Sequence, residues 1–335
     1  MQNVGITILF AVGLLTMTSA TESSSKNAGL LLVANKGEHT LGIIDPETGR
    51  QIATVPENGV TGHEVVASAD GKLAYMPIYG NSGVGKPGTD GTNMVVIDIA
   101  DRKIAGNVDF GHGVRPHCAA LGPKDRLLYI TTELDQAVAV IDPKTLKIIG
   151  KIPTGQAESH MLAISPDGER GYTANVGPGT VSVLDMKARK TLAVIPVSSQ
   201  VQRIAVSVDG KLVFTADQAK PQLAVIDTAT NKVKTWVPLS APGYGSAPTA
   251  DGKRLVIAVP SANQVAVVDL GTMKVAHTID VPAAPQEVVI RPDGKVAYVS
   301  CDASRKVAAI STSDWKVEKL IDAGAGADGL AWAGR

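Results

Sequence analysis

The stretch HMLAISPDGERGYTANVGPGTVSVLDMKARKTLAVI, His160 to Ile195, holds four runs rich in Val, Ile, Leu and Tyr. They are divided by turn signals such as Ser165-Pro166-Asp167-Gly168 and Asp185-Met186-Lys187. Short β-branched runs bounded by such residues read as strand, turn, strand, loop, strand, turn, strand. The same opening line occurs as HEVVASADGKLAY (63–75), HCAALGPKDRLLY (117–129), QRIAVSVDGKLVF (202–214), YGSAPTADGKRLV (244–256) and QEVVIRPDGKVAY (286–298). A partial copy, DGLAWA, starts at Asp328. Successive copies are 54, 43, 42, 42, 42 and 42 residues apart. Four strands in ~42 residues is the size of a propeller blade.

The ends of the chain complete the count. Residues 30–55 supply three strands without an inner one, and DGLAWA supplies an inner strand without the other three. Joined, the two part-blades satisfy each other's open edges. The fold class expected is therefore all-β: a seven-bladed β-propeller with four-stranded blades, the last closed by N- and C-terminal strands. Such a ring also accounts for 335 residues in one domain, because each unit packs only on its neighbours.

Each second strand ends in a variant of one tetrapeptide: Tyr129-Ile130-Thr131-Thr132, Tyr172-Thr173-Ala174-Asn175, Phe214-Thr215-Ala216-Asp217 and Tyr298-Val299-Ser300-Cys301. With the SPDG turns and lines such as VAVIDPKTLKI, the chain resembles the YVTN-repeat family of seven-bladed propellers. The resemblance spans essentially everything after the amino terminus. It implies a fold shared by lactonase-type, haem-carrying and surface-layer propellers, and leaves function open.

Lys and Arg number 32 and Asp and Glu 32, so no basic surface is available to grip a phosphate backbone, and nucleic acid is excluded as a partner. No GxxxxGK[ST] is present, so no nucleotide is expected. CxxCH is absent, and on that ground no haem is expected. Residues 1–20 carry an apolar core, VGITILFAVGLL (4–15), before Thr18-Ser19-Ala20, which reads as a cleaved signal peptide. A flexible polar segment, 21–29, follows, with the propeller over 30–335. The protein is thus expected to be periplasmic or secreted, with no membrane span in the mature chain.

Asp45, Asp98, Asp142, Asp185, Asp227 and Asp269 share one repeat column, with Ser311 in the last copy. Each precedes turn residues, and the column is read as Asx-turns rather than a carboxylate ring. Cys118 and Cys301 lie on opposite sides of the ring, too far apart for a disulfide.

Function is sought where the copies differ. The first residue of each inner strand reads His63, His117, His160, Gln202, Tyr244, Gln286 and Asp328. In a propeller these seven positions converge on the axial channel mouth. Three histidines and an aspartate on four adjacent blades form a ligand set for zinc, copper, iron or manganese. His63, His117, His160 and Asp328 are therefore the candidate metal ligands, for one transition-metal ion, zinc or copper. A wet polar channel explains the same column. Gln202, Tyr244, Gln286 and Tyr79 are candidate ligand contacts.

The next column includes Glu64, Arg203 and Glu287, candidates for base and anion-holding roles. The long connection Tyr79–Asn93 is read as a lid over the mouth. These features support an exported propeller binding a small ligand or metal ion. A metal-dependent hydrolase or lyase acting on a lactone or ester is the alternative, and a structural cell-surface repeat protein the third. A protein partner stays open.

Overall fold

The computed structural model describes Met1 and residues 29–334. The expected signal peptide beyond Met1, and the polar segment up to residue 28, lie outside the described residues. Seven antiparallel sheets of four strands form the ring. Blades 1 to 6 span 66–109, 116–153, 159–196, 201–238, 246–280 and 285–322. Blade 7 joins the strand Ala327–Gly334 to three strands between Gly29 and Pro56. Its closing pairs include Leu31 with Trp332 and Val33 with Leu330.

Burial follows from the strand order. Second and third strands are sandwiched between neighbouring blades and are buried on both faces, as in Leu128–Thr132 and Ala137–Asp142. Outer strands alternate, as in Lys190–Pro196, where every second residue faces water. Apolar side chains of adjacent blades interlock: Tyr129, Val138 and Val140 pack with Tyr172, Val181 and Val183.

The aspartate column is structural. Asp142 accepts the Lys144 N–H at 2.9 Å, Asp185 that of Ala188 at 2.8 Å, and Asp269 those of Gly271 and Thr272 at 2.9 and 2.8 Å. Ser311 takes the same place with its hydroxyl. The Asp-Gly hairpins need a left-handed residue, and Gly168 supplies it at φ 74°. Cys118 and Cys301 are both free and buried.

Thr131 shows why the tetrapeptide carries a hydroxyl residue. Its Oγ1 accepts the Cys118 N–H at 2.9 Å and donates to the His160 carbonyl of the next blade at 2.7 Å. Ser300 does the same between Glu287 and Asp328, at 3.0 and 2.5 Å.

Glu57, in the connector from blade 7 to blade 1, is fully buried. One carboxyl oxygen accepts the Gly62 N–H at 2.9 Å, and the other has no partner among the described residues. Burial pushes its pKa up to about 7. A folded-state pKa above the unfolded value gives a stability contribution that is complete below pH ~4.5 and lost as pH rises through about 7. Glu57→Gln keeps an acceptor for Gly62 without the charge. It is expected to stabilise the protein by about 1–2 kcal/mol at pH 8 and to be neutral at pH 4. Denaturant midpoints at the two pH values check this, and equal effects at both would refute the charge argument.

Candidate functional site at the channel mouth

A regular strand points successive side chains to opposite faces. The inner strands break that rule at their first residues. On blade 2, Pro116 pairs with Thr132 and Ala119 with Ile130, so His117 and Cys118 together oppose one residue. The same slip falls at Gln202-Arg203, Gln286-Glu287 and Asp328-Gly329. On blade 3 it falls between Ser159 and Met161, at His160. A bulge re-aims side chains, and here it turns the strand starts toward the axis. On five of the seven blades the column aligned in the sequence is a bulge, and on the other two His63 and Tyr244 precede the strands Val66–Ala67 and Ser246–Pro248.

The three histidines lie together, two of them face to face. His117 and His160 stack with centroids 3.5 Å apart and planes 29° apart. His63 lies 5.4 Å from His117, edge on. Tyr79 wedges among them, 5.0, 5.3 and 5.7 Å from His63, His117 and His160. His117 and His160 are buried, whereas His63 is only partly covered. Burial holds all three neutral: His63 is lowered to about 4, His117 falls well below its usual range, and His160 falls despite the opposing pull of Glu133.

Gln202 and Tyr244 continue the ring. The Gln202 amide nitrogen lies 3.4 Å from His160 Nε2 and donates to the Tyr244 hydroxyl at 3.0 Å. Gln286 turns aside, donating to the Ala284 carbonyl at 3.2 Å.

The next residues along the strands close the axis. Arg203, 2% exposed, donates to Glu64, to Glu287 at 2.7 Å and to Asp328 at 3.2 Å. Its guanidinium lies 4.5 Å over the Tyr244 ring. Burial pushes Glu64 up to about 8 and raises Glu287, both against the pull of Arg203. Asp328 resists the same burial because Arg203 and Lys36 hold it ionised. Glu64, Glu287 and Arg203, expected as base and anion holder, thus neutralise one another across the channel.

A second ring lies beside the first, and of it the sequence reading singled out Tyr79 alone. The second ring is formed by the residue directly after each second-strand tetrapeptide: Lys36, Tyr79, Glu133, Val176, Gln218, Pro260 and Asp302. Six of the seven donate a backbone N–H to the carbonyl two residues before the first ring, as Tyr79 to Thr61, Val176 to Glu158 and Asp302 to Ala284. Proline at 260 has no N–H to give. Lys36 bridges Asp302 at 2.9 Å and Asp328 at 3.1 Å. Glu133 accepts the Tyr79 hydroxyl at 2.6 Å. The signal was present in the alignment, one residue beyond the tetrapeptide.

The connection expected as a lid is largely an extension of the blade 1 hairpin, with strands Leu73–Gly80 and Asp90–Asp98. Arg115 pins its tip, donating to Asp90 at 2.6 Å and to the Lys86 carbonyl at 2.8 Å. Two clefts flank it. One, of about 400 Å³, is lined by Lys36, His39, Thr61, His63, Asn81 and Ser82. The other, also about 400 Å³, lies over Glu133 and Arg115.

The residue pattern described as the cytochrome D1 heme domain matches residues 123–333, well over half of the chain. The chain belongs to the cytochrome D1 heme domain family. No curated protein matches it significantly. Among solved structures, Kuenenia stuttgartiensis hydrazine synthase superposes with TM-score 0.74 at 21% identity, covering 86% of this chain and 94% of that one. Dihydro-heme d1 dehydrogenase NirN in complex with DHE superposes with TM-score 0.65 at 15% identity, covering 90% and 74%. At these identities the likeness is one of fold. The propeller implied by the YVTN-type resemblance is present, and the matching family is the cytochrome D1 heme domain.

Membership in this family corrects two expectations. The expected function, a small-ligand or metal-ion site with lactone or ester hydrolysis or a structural role as alternatives, gives way to a haem-type propeller. The expected cofactor, a zinc or copper ion with no haem, gives way likewise. Among the described residues, no three His, Cys, Asp or Glu side chains are placed to hold one metal ion. Nitrogen lone pairs lie in the imidazole plane, so the stacked rings of His117 and His160 do not aim at a common point. Excluding haem from a missing CxxCH was an over-extension: that motif serves thioether attachment, and a non-covalently held haem needs only a donor and a slot.

The residues present fit such a group in kind. The first cleft offers the partly exposed imidazole of His63, a second imidazole at His39, and the Ser82 hydroxyl, buried without a partner among the described residues. The histidine layer beneath is filled by stacked rings, so a flat macrocycle fits over it rather than within it. Lys36 is already neutralised by two aspartates.

Proposed function

We propose that this chain binds a haem-type tetrapyrrole non-covalently at the channel mouth, on the side where blades 7 and 1 meet. One observation carries the reading: of the three column histidines in a cytochrome D1 heme domain propeller, His63 is the one that lines an open cleft. His63 would ligate the iron, while His39 and Ser82 would meet the rim of the ring. When bound, such a group supplies a redox-active iron whose axial ligand and hydrogen-bond surroundings set its chemistry. Tyr79, tilted at 35° against His63 and anchored to Glu133, covers the inner side of the imidazole and keeps water from beneath it.

Haemin titration of the purified protein, followed by its absorbance spectrum, tests this. His63→Ala is expected to weaken binding at least tenfold, about 1.4 kcal/mol. His112→Ala, an exposed position off the column, is the control and should change nothing. Equal affinity of His63→Ala and the parent would remove His63 from the site.

We also read residues 1–20 as an export signal and the protein as periplasmic or secreted, the YVTN-type tetrapeptides being a blade signature shared with that repeat family. No described helix is long and apolar enough to cross a membrane.

A further inference from the structure

We infer that Glu133 is the positioning residue of the mouth: it sets the tautomer of His160 and fixes Tyr79 and the tip of the blade 1 hairpin around it. Its relevance to ligand binding rests on the proposed tetrapyrrole seat. Glu133 occupies the second ring on blade 2 and is 2% exposed. The groups that hydrogen-bond its carboxylate are all donors. The Tyr79 hydroxyl lies at 2.6 Å, the Gly85 N–H at 3.4 Å and Arg115 Nη1 at 3.5 Å; His160 Nδ1 approaches to 3.5 Å outside hydrogen-bond geometry and has no other partner among the described residues, so the carboxylate is the acceptor nearest to it. An ionised carboxylate is acceptor-only, so this company keeps it ionised, and its pKa is lowered although burial alone would raise it.

The consequence passes to His160. With a carboxylate before Nδ1, the ring carries its proton there, and Nε2 keeps a lone pair. Nε2 faces the Gln202 amide nitrogen at 3.4 Å, a donor, and Gln202 passes its other N–H to the Tyr244 hydroxyl. Donation therefore spreads from the Gln202 amide in two directions, to the Tyr244 hydroxyl on one side and through His160 toward Glu133 on the other. The equivalent second-ring residues Val176, Gln218 and Pro260 carry no charge. Glu133 is thus the second-ring carboxylate that faces a column histidine. It also touches the hairpin tip through Gly85 and Arg115, so the same side chain ties the ring orientation to the wall between the two clefts.

The test begins on the ligand-free protein. Long-range ¹H–¹⁵N spectra of histidine-labelled protein, with the His160 signals identified from His160→Gln, should show protonated Nδ1 and bare Nε2 from pH 6 to 8. An Nε2–H form, or two tautomers in exchange, overturns the proposal without recourse to any variant. In Glu133→Leu the tautomer preference should disappear, whereas Glu133→Gln, which retains an acceptor oxygen, should preserve it. Haemin affinity should drop about tenfold in Glu133→Leu, the lower end of what loss of an orienting partner costs, and recover in Glu133→Gln. An unchanged His160 signature in a folded Glu133→Leu also overturns the assignment. If the parent binds no haemin, the tetrapyrrole reading fails, while the tautomer result still decides the role of Glu133.

Discussion

Arg203→Leu is expected to cost about 3–5 kcal/mol at pH 8, the usual consequence of stripping the partner from buried charges. The substitution roughly preserves apolar bulk but leaves Glu64, Glu287 and Asp328 facing one another without the guanidinium that joins them. Those three carboxylates come from blades 1, 6 and 7, and Arg203 from blade 4, so the loss is felt across the ring. Burial already drives Glu64 up to about 8 with Arg203 present. Without it, the folded-state pKa values of Glu64 and Glu287 rise further above the unfolded ones, and that of Asp328, which Arg203 helps to hold low, rises as well. Stability held through these groups is complete below pH ~4.5 and lost as pH rises. The deficit of the variant relative to the parent should therefore shrink at pH 5 and grow at pH 8. The neutral histidines weaken both proteins below pH 6.5, but less in the variant, because the Arg203 charge is one of the causes that depress them; this shrinks the deficit at pH 5 in the same direction. Denaturant midpoints at the two pH values decide the matter. A deficit independent of pH would mean that Arg203 matters as packing and not as charge.

Deleting residues 327–335 is expected to abolish cooperative folding altogether. The strand Ala327–Gly334 is the inner strand of blade 7, hydrogen-bonded along Gly29–Asn35. It buries Leu330, Ala331 and Ala333, and Trp332 stacks on Tyr298 of blade 6 at 6.1 Å. Its loss opens a fully apolar strand edge, Leu31 to Ala34, to solvent and to other chains. It also removes Asp328, leaving Lys36 and Arg203 each short of a carboxylate. Circular dichroism melting and size-exclusion chromatography measure the outcome. A truncated chain that melts like the parent would show that closure of the ring contributes nothing.

The blades were legible because their period is written into local chemistry: Asp-Gly hairpins, Asx-turns and β-branched runs each act within a few residues. The mouth column was legible for the same reason, since it stands at a constant distance from Asp70, Asp167 or Asp293 in its own copy. What the histidines do there was not. Whether His117 and His160 converge on an ion or lie face to face depends on bulge geometry, which no single strand reveals. Pairing of Arg203 with Glu64, 139 positions away, depends on opposite blades meeting across the axis. Glu133 was hidden because it reads as an ordinary loop residue before Leu134 and Asp135. The haem-type reading was out of reach because a cofactor held without a covalent bond leaves no fixed motif for its donors.

Because the residues of the mouth column sit in bulges on five blades and ahead of the strand on two, they stand outside the regular hydrogen-bonded ladder that sets blade register. Imidazole, amide and carboxylate side chains occupy this place while the strands behind them keep one geometry. Recognition and foldability are thereby assigned to different residues of the same strand. The lining of such a ring can drift toward a new guest one blade at a time, at little cost to the scaffold, and the present mosaic of His, Gln, Tyr and Asp has the look of that history.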